Sequence, residues 1–162
     1  MYKKLLLLCI LITSLFLITG TIYADKMEDF VLSTYSEYGA GKFKQVYNRL
    51  HPTIKKNLDQ NLYINFQKEN FQKYNLIIEK VNVKEIKKIK KLPGKLSLIF
   101  PEDYDFKCWQ ISINYVAHFD TRLGRQKKKL KKNVYLSTQN IKQEKKLYLL
   151  WDPSNIKKDK VD

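Results

Sequence analysis

Cysteine is nearly missing from this sequence: 162 residues contain two, Cys9 and Cys108. Cys9 lies in an apolar N-terminal run, so the rest of the chain holds one thiol and cannot close an internal disulfide. The domain must therefore be held by its core. Cys108 stands in a run that reads as a strand, where a thiol packs as a small hydrophobe; a reactive or intermolecular thiol is the alternative. Histidine is equally scarce, with His51 and His118 alone. Two histidines and one thiol make no strong zinc site without help from Asp or Glu, and no cluster has ligand spacing. The five glycines form no phosphate-cradling loop, so no cofactor is expected. Acid is short as well. Sixteen Asp and Glu face 31 Lys and Arg, giving a formal net charge of +15.

What is present begins with a three-part N-terminus. Lys3 and Lys4 give a positive flank. Leu5 to Ile18 is apolar apart from Thr13 and Ser14, and Gly20 leads to a small residue, Ala24. A charged flank, a short apolar core and a small residue at its end are what signal peptidase reads. Residues 1–24 therefore read as a secretory signal peptide cut after Ala24. The alternative is an uncleaved membrane anchor, since the stretch lies near the lower limit of a span of ~20 residues. A lipoprotein reading fails because Leu8, before Cys9, is too bulky. Without the leader, 138 residues remain with 29 basic and 16 acidic groups, net +13. That suits one domain, residues 25–156, with a charged tail at 157–162.

Asp25 and Glu28 have capping-box spacing. Met27, Phe30, Val31, Thr34, Tyr35 and Tyr38 follow at helical spacing, and Gly39 and Gly41 end that helix. A second helix is expected from Lys42 to Leu50, with Phe43, Val46, Tyr47 and Leu50 on one face and His51-Pro52 closing it. A third stretch runs from Thr53 to Tyr74, interrupted near Asp59, with Leu62, Phe66 and Phe71 inward. From Leu76 the pattern changes to strands. Leu76–Ile89 is β-branched and Lys-rich, and Pro93-Gly94 marks a turn. Lys95–Phe100 reads as a short strand, and Glu102–Asp105 as an acidic loop. Trp109–Phe119 alternates apolar and polar over eleven residues. Lys131–Ile141 and Lys145–Trp151 read as two more strands, and Asn155–Asp162 as a loose end. Helices first and antiparallel strands after predict an α+β domain, helices packed on one face of a curved antiparallel sheet.

Chemistry is thin along this scaffold. Ser154-Asn-Ile-Lys157 matches the S-x-x-K pattern of penicillin-recognising serine enzymes, but no K-T-G or S-D-N accompanies it. His118, Asp120 and Tyr115 approach one strand end, yet His118 falls on the polar face and Asp120 begins the turn. Basic runs stand out instead: Lys84, Lys87, Lys88, Lys90 and Lys91, then Lys127, Lys128, Lys129, Lys131 and Lys132. Lys142, Lys145 and Lys146 form a third group, expected at the other end of a long ribbon from the second. Lys on exposed strands discourages sheet-to-sheet aggregation, and clustered Lys also attracts polyanions. For an exported protein those are anionic lipid headgroups or the teichoic acids of a Gram-positive wall. Export and the near absence of Arg argue against specific nucleic-acid reading. The aromatics fall on inward faces and read as core. Trp151 alone is placed to contact a ligand.

Three stretches carry a family resemblance. They are Gly41-Lys-Phe-Lys-Gln-Val-Tyr-Asn-Arg-Leu-His-Pro52, Asn61-Leu-Tyr-Ile-Asn-Phe66 leading into Asn75-Leu-Ile-Ile78, and Leu147-Tyr-Leu-Leu-Trp-Asp-Pro-Ser154. Together they resemble the nuclear transport factor 2-like fold, a cone of helices wrapped by a bent sheet. Within it, the chain is most similar to the N-terminal domain of methicillin-resistance-type penicillin-binding proteins. The resemblance spans nearly all of residues 25–156, and Trp151 would then line the mouth of the cone. It implies a non-catalytic accessory domain of the cell envelope, here without a transpeptidase, binding a wall polyanion or an envelope protein. Two alternatives remain open. One is an accessory protein of an exported machine such as a conjugation apparatus. The other is a cone-type small-molecule enzyme, which needs an ionisable cluster on the inward faces.

Overall fold

Apolar side chains recur every three to four residues from Met27 onward, and residues 23–39 form helix α1. A computed structural model describes residues 23–100, 106–141 and 144–156. The leader before residue 23, the Glu102–Asp105 loop and the charged tail lie outside the described residues. Met27, Val31, Thr34 and Tyr35 are buried along one side of α1. Asp25 lies inside the helix rather than capping it, because the helix already runs at residue 23. At the other end the Lys42 N–H donates back to the Glu37 carbonyl at 2.8 Å. Gly41 supplies the left-handed φ of 70° that this closure needs.

Helix α2 (Phe43–Asn48) buries Phe43, Val46 and Tyr47. The chain then passes the edge of the sheet. The Leu149 N–H donates to the Arg49 carbonyl at 2.8 Å, and the His51 N–H donates to the Leu149 carbonyl at 3.0 Å. Pro52 opens α3 (Pro52–Asn57), where its missing N–H costs nothing. The break expected near Asp59 is present: Leu58 is extended, and the Asp59 carboxylate caps α4 (Gln60–Tyr74) by accepting from the Leu62 N–H. Tyr63, 1% exposed, takes the inward place expected of Leu62, which is 44% exposed. Phe66 and Phe71 pack against the core as expected.

Four strands form one antiparallel sheet in sequence order: β1 (Ile77–Ile89), β2 (Lys107–Thr121), β3 (Gly124–Ile141) and β4 (Glu144–Leu150). The β3 strand begins at Gly124, so the basic run expected at its start lies within the strand. Lys95–Phe100 is not a strand. Residues Leu96–Ile99 form a helical turn, α5. Gly94 adopts φ 53°, and its carbonyl accepts from the Ser97 hydroxyl at 2.7 Å. Leu96 and Phe100, one turn apart, are buried, while Leu98 is 83% exposed. At the far end Pro153–Asn155 make a 3-10 turn and Ile156 is buried, so the packed domain reaches that residue.

Residues paired across strands share a face. The inner face carries the rows Ile86–Ile111–Val134, Val83–Ile113–Lys132 and Trp109–Leu136–Leu149. Helix α1 covers it, with Tyr23 against Trp109 and Tyr35 against Tyr115 at ring-centroid distances of 6.0 and 6.2 Å. On the outer face, one end is closed by aromatic packing. His51 meets Phe100, Phe106 and Tyr148 at 5.0, 5.5 and 5.4 Å. The other end is open.

Candidate polyanion-binding face

Alternation along a strand divides a charge run between two faces. In β3 the odd positions Lys127, Lys129 and Lys131 fall on the outer face, opposite His118, Val116 and Asn114. Lys128 and Lys132 fall on the inner side, opposite Ala117 and Ile113. The Lys128 ammonium stands over the Phe119 ring at 5.9 Å. The run of five therefore does not act as one patch.

Strand β1 is less regular, and its irregularity builds the site. Register shifts fall between Glu79 and Asn82 and between Val83 and Glu85. Lys80 stands at the first with a left-handed φ of 51°, and Lys84 at the second. Both line an open groove of about 420 Å³ on the outer face, with Asn82, Asn114, Lys129 and Lys131. All six residues are exposed or half-buried. Adjacent strands lie ~4.8 Å apart and alternate residues ~7 Å along a strand. Lys129 and Lys131 thus stand ~7 Å apart on β3, and Lys80 and Lys84 lie two strands away across β2, ~10 Å. These separations are close to the Debye length of ~8–10 Å, so their fields overlap in part. Two amide side chains on the floor can donate to anion oxygens.

The remaining sequence candidates separate. Lys87 is on the outer face opposite Gln110, and Lys88 is on the inner side opposite Trp109. Lys90 and Lys91 follow the end of β1, six and seven residues and roughly 20 Å past Lys84 of the groove. Lys145 and Lys146 pair with Asn140 and Gln139 at the far end of β3, as expected of opposite ribbon ends. Lys145 there stands 5.5 Å over the Tyr23 ring. Ala24, the expected cleavage residue, sits in the first described turn of α1, half-buried. Trp151 packs edge-on against Tyr63 at 5.2 Å and borders a cavity under α1. Lys80, Asn82 and Asn114 were not singled out by sequence. Lys80 stands outside any run, and the only sequence sign of the bulge that recruits it is the three-residue step from Ile78 to Val81.

The reactive groups are held in structural roles. Burial pushes the Cys108 thiol up to about 11, which makes it a poor nucleophile. Burial, with Lys55 adding to it, lowers His51 to about 4. Its Nδ1 accepts from the Thr53 N–H at 3.1 Å, and its Nε2 lies 2.9 Å from the Gln139 side-chain amide. His118 Nε2 lies 3.2 Å from the Glu79 carboxylate on the outer face, and Asp120 accepts from Arg125 and Asn75. His118, Asp120 and Tyr115 are therefore not gathered: Tyr115 points under α1 and the other two have separate partners. Ser154 of the S-x-x-K match, which lacks its companion motifs, lies in the 3-10 turn, and Lys157 is outside the described residues.

No protein-family model matches the chain, and no curated protein matches it. Among solved structures, the chain is similar to a SEC-C motif containing protein from Psychrobacter arcticus. The two are 17% identical with a TM-score of 0.43, over 74% of this chain and 55% of that one. The chain thus spans about half the length of that structure.

Proposed function

We propose that this chain is an exported, non-catalytic domain of a Gram-positive cell envelope that holds an anionic wall polymer on the outer face of its sheet. The convergence of Lys80, Lys84, Lys129 and Lys131 over Asn82 and Asn114 carries this reading. The leader-like N-terminus puts the partner outside the cytoplasm, where the polyanions are wall polymers rather than nucleic acid. Helices followed by an antiparallel sheet have the element order of a nuclear transport factor 2-like cone, and the accessory role comes from the sequence resemblance to the penicillin-binding-protein domain. Lysine suits a repeating phosphate chain, as a point charge on a flexible stem that needs no fixed ligand geometry.

Co-sedimentation with isolated Gram-positive walls, with and without teichoic acid, tests this over a salt series. Binding that needs the polymer and falls steeply with salt is expected, because neutralised phosphates release counterions. No binding at low salt overturns the reading, and a protein partner in an exported assembly then becomes the better account.

A further inference from the structure

Five large apolar side chains are exposed among the described residues, and three of them, Tyr74, Ile77 and Leu123, stand at the open end of the sheet. Leu62 and Leu98 instead line a groove near the start of α4. Tyr74 ends α4, Ile77 begins β1, and Leu123 lies in the two-residue turn between β2 and β3. The fold brings these three elements together. Ile77 pairs with His118, and the Asn75 amide donates to the Asp120 carboxylate at 3.1 Å. The junction of α4 with β1 therefore sits against the end of β2. Leu123 follows Asp120 by three positions, within ~10 Å.

Leu123 is the projecting member, 93% exposed. Two-residue hairpin turns favour Asn and Gly. Here Thr121 holds the turn: its hydroxyl donates to the Gly124 carbonyl at 2.9 Å and accepts from the Leu123 N–H at 3.2 Å. The leucine side chain takes part neither in the turn nor in the core. Cations surround it. Arg122 is its neighbour in the turn, and Lys127 and Lys128 follow on β3. The Lys73 ammonium stands over the Tyr74 ring at 5.3 Å, and that of Lys128 over Phe119 at 5.9 Å. Stems laid on apolar rings leave the charged heads in water. The carboxylates of the paired strand ends are already engaged. Asp120 accepts from Arg125 at 2.9 Å, and Glu79 lies 3.2 Å from His118. Lys73, Arg122, Lys127 and Lys128 form no ion pair among the described residues.

Projecting apolar groups ringed by unpaired cations match an anionic lipid surface, where apolar tips enter the acyl boundary and cations meet the headgroups. A fluid bilayer accepts anchors from three separate elements without a matching shape. A second copy fits poorly, because two such rims would bring like charges together. We propose that the open end of the sheet docks on an anionic membrane surface, with Leu123 inserted among the headgroups and Tyr74 and Ile77 at the interface. This surface shares no residue with the polymer groove, so either can fail alone.

Leu123→Trp in the full-length protein tests the proposal. It is mixed with vesicles of equimolar phosphatidylglycerol and phosphatidylcholine brominated on their acyl chains, and wild-type emission gives the background from Trp109 and Trp151. The introduced indole should shift to the blue and be quenched. Leu98→Trp, exposed elsewhere on the surface, should be neither. That pair separates docking of this end from adsorption through the apolar N-terminal run. Phosphatidylcholine vesicles alone should quench Leu123→Trp only at about tenfold higher lipid or more. Changing Arg122, Lys127 and Lys128 to Gln in the same chain should have a similar effect. Leu123→Ser should leave wall binding unchanged. An unquenched Leu123→Trp on the mixed vesicles, quenching no greater than in Leu98→Trp, or equal quenching without phosphatidylglycerol overturns the proposal.

Discussion

The two faces of this sheet are built from the same strands and share almost no chemistry. Through its middle, the inner face reads Ile111, Ile113, Val134 and Leu136, all buried. The outer face reads Gln110, Ser112, Asn114, Lys129 and Lys131. A shift of one residue in register would exchange them. The placement of charge is thus set by strand phase rather than by how many lysines a segment carries. Lys131 and Lys132 are neighbours in sequence, yet one lines an open groove and the other the mouth of an aromatic cavity.

The contrast breaks most easily from its buried side. Leu136 is fully buried in the inner-face row with Trp109 and Leu149. Leu136→Ala should cost ~2–5 kcal/mol in urea unfolding. Lys131→Ala, on the exposed outer face, should stay within ~0.5 kcal/mol.

His51 locks the closed end of the outer face, and its effect depends on pH. Its pKa is about 4 in the fold, below the ordinary imidazole value of 6.5. The unfolded chain therefore binds a proton at higher pH than the folded one does. Its contribution is full above pH 6.5 and is lost as pH falls toward 4, up to ~3 kcal/mol. Melting temperature against pH should show this decline. His51→Gln should be less stable at pH 7 and flatter across that window.

A smaller effect is expected where the helical layer meets the end of β2. Asn75 closes α4 with a left-handed φ of 44°, and its amide donates to Asp120 at 3.1 Å. Asn75→Ala should cost ~1–2 kcal/mol, and Asn75→Gly less, as read by chemical denaturation. The smallest is kinetic. Cys108 is buried with its thiol held at about 11, so iodoacetamide should label it at neutral pH only once denaturant unfolds the chain.

Much of the fold was legible because periodicity is strong where faces are buried. Met27, Val31 and Tyr35 mark α1, and the alternation from Trp109 to Phe119 marks β2. Lys95–Phe100 misled because Lys, Leu, Ser and Leu alternate there. What decides that segment is the left-handed Gly94 and the spacing of Leu96 and Phe100, which a period-two count passes over. The lysine runs pointed to a basic surface but not to its members. In β1 the inner apolar residues Ile78, Val81, Val83 and Ile86 are spaced three, two and three, which breaks a period-two count at the two bulges. That spacing does not say that the bulges bring Lys80 and Lys84 into one groove with Lys129 and Lys131. The cavity was illegible for a related reason. Periodicity shows that Tyr35, Tyr38 and Tyr63 turn inward, but not that their packing leaves a space.

The claim that a particular face, rather than net charge, holds the polymer is tested most directly by two triple variants. Lys84, Lys129 and Lys131 changed to Gln remove three charges from the groove. Lys88, Lys128 and Lys132 changed to Gln remove three from the inner side. Binding to teichoic acid-bearing walls at fixed low salt should collapse in the first and persist in the second. Equal losses in both would contradict a defined site and leave only a protein that is basic.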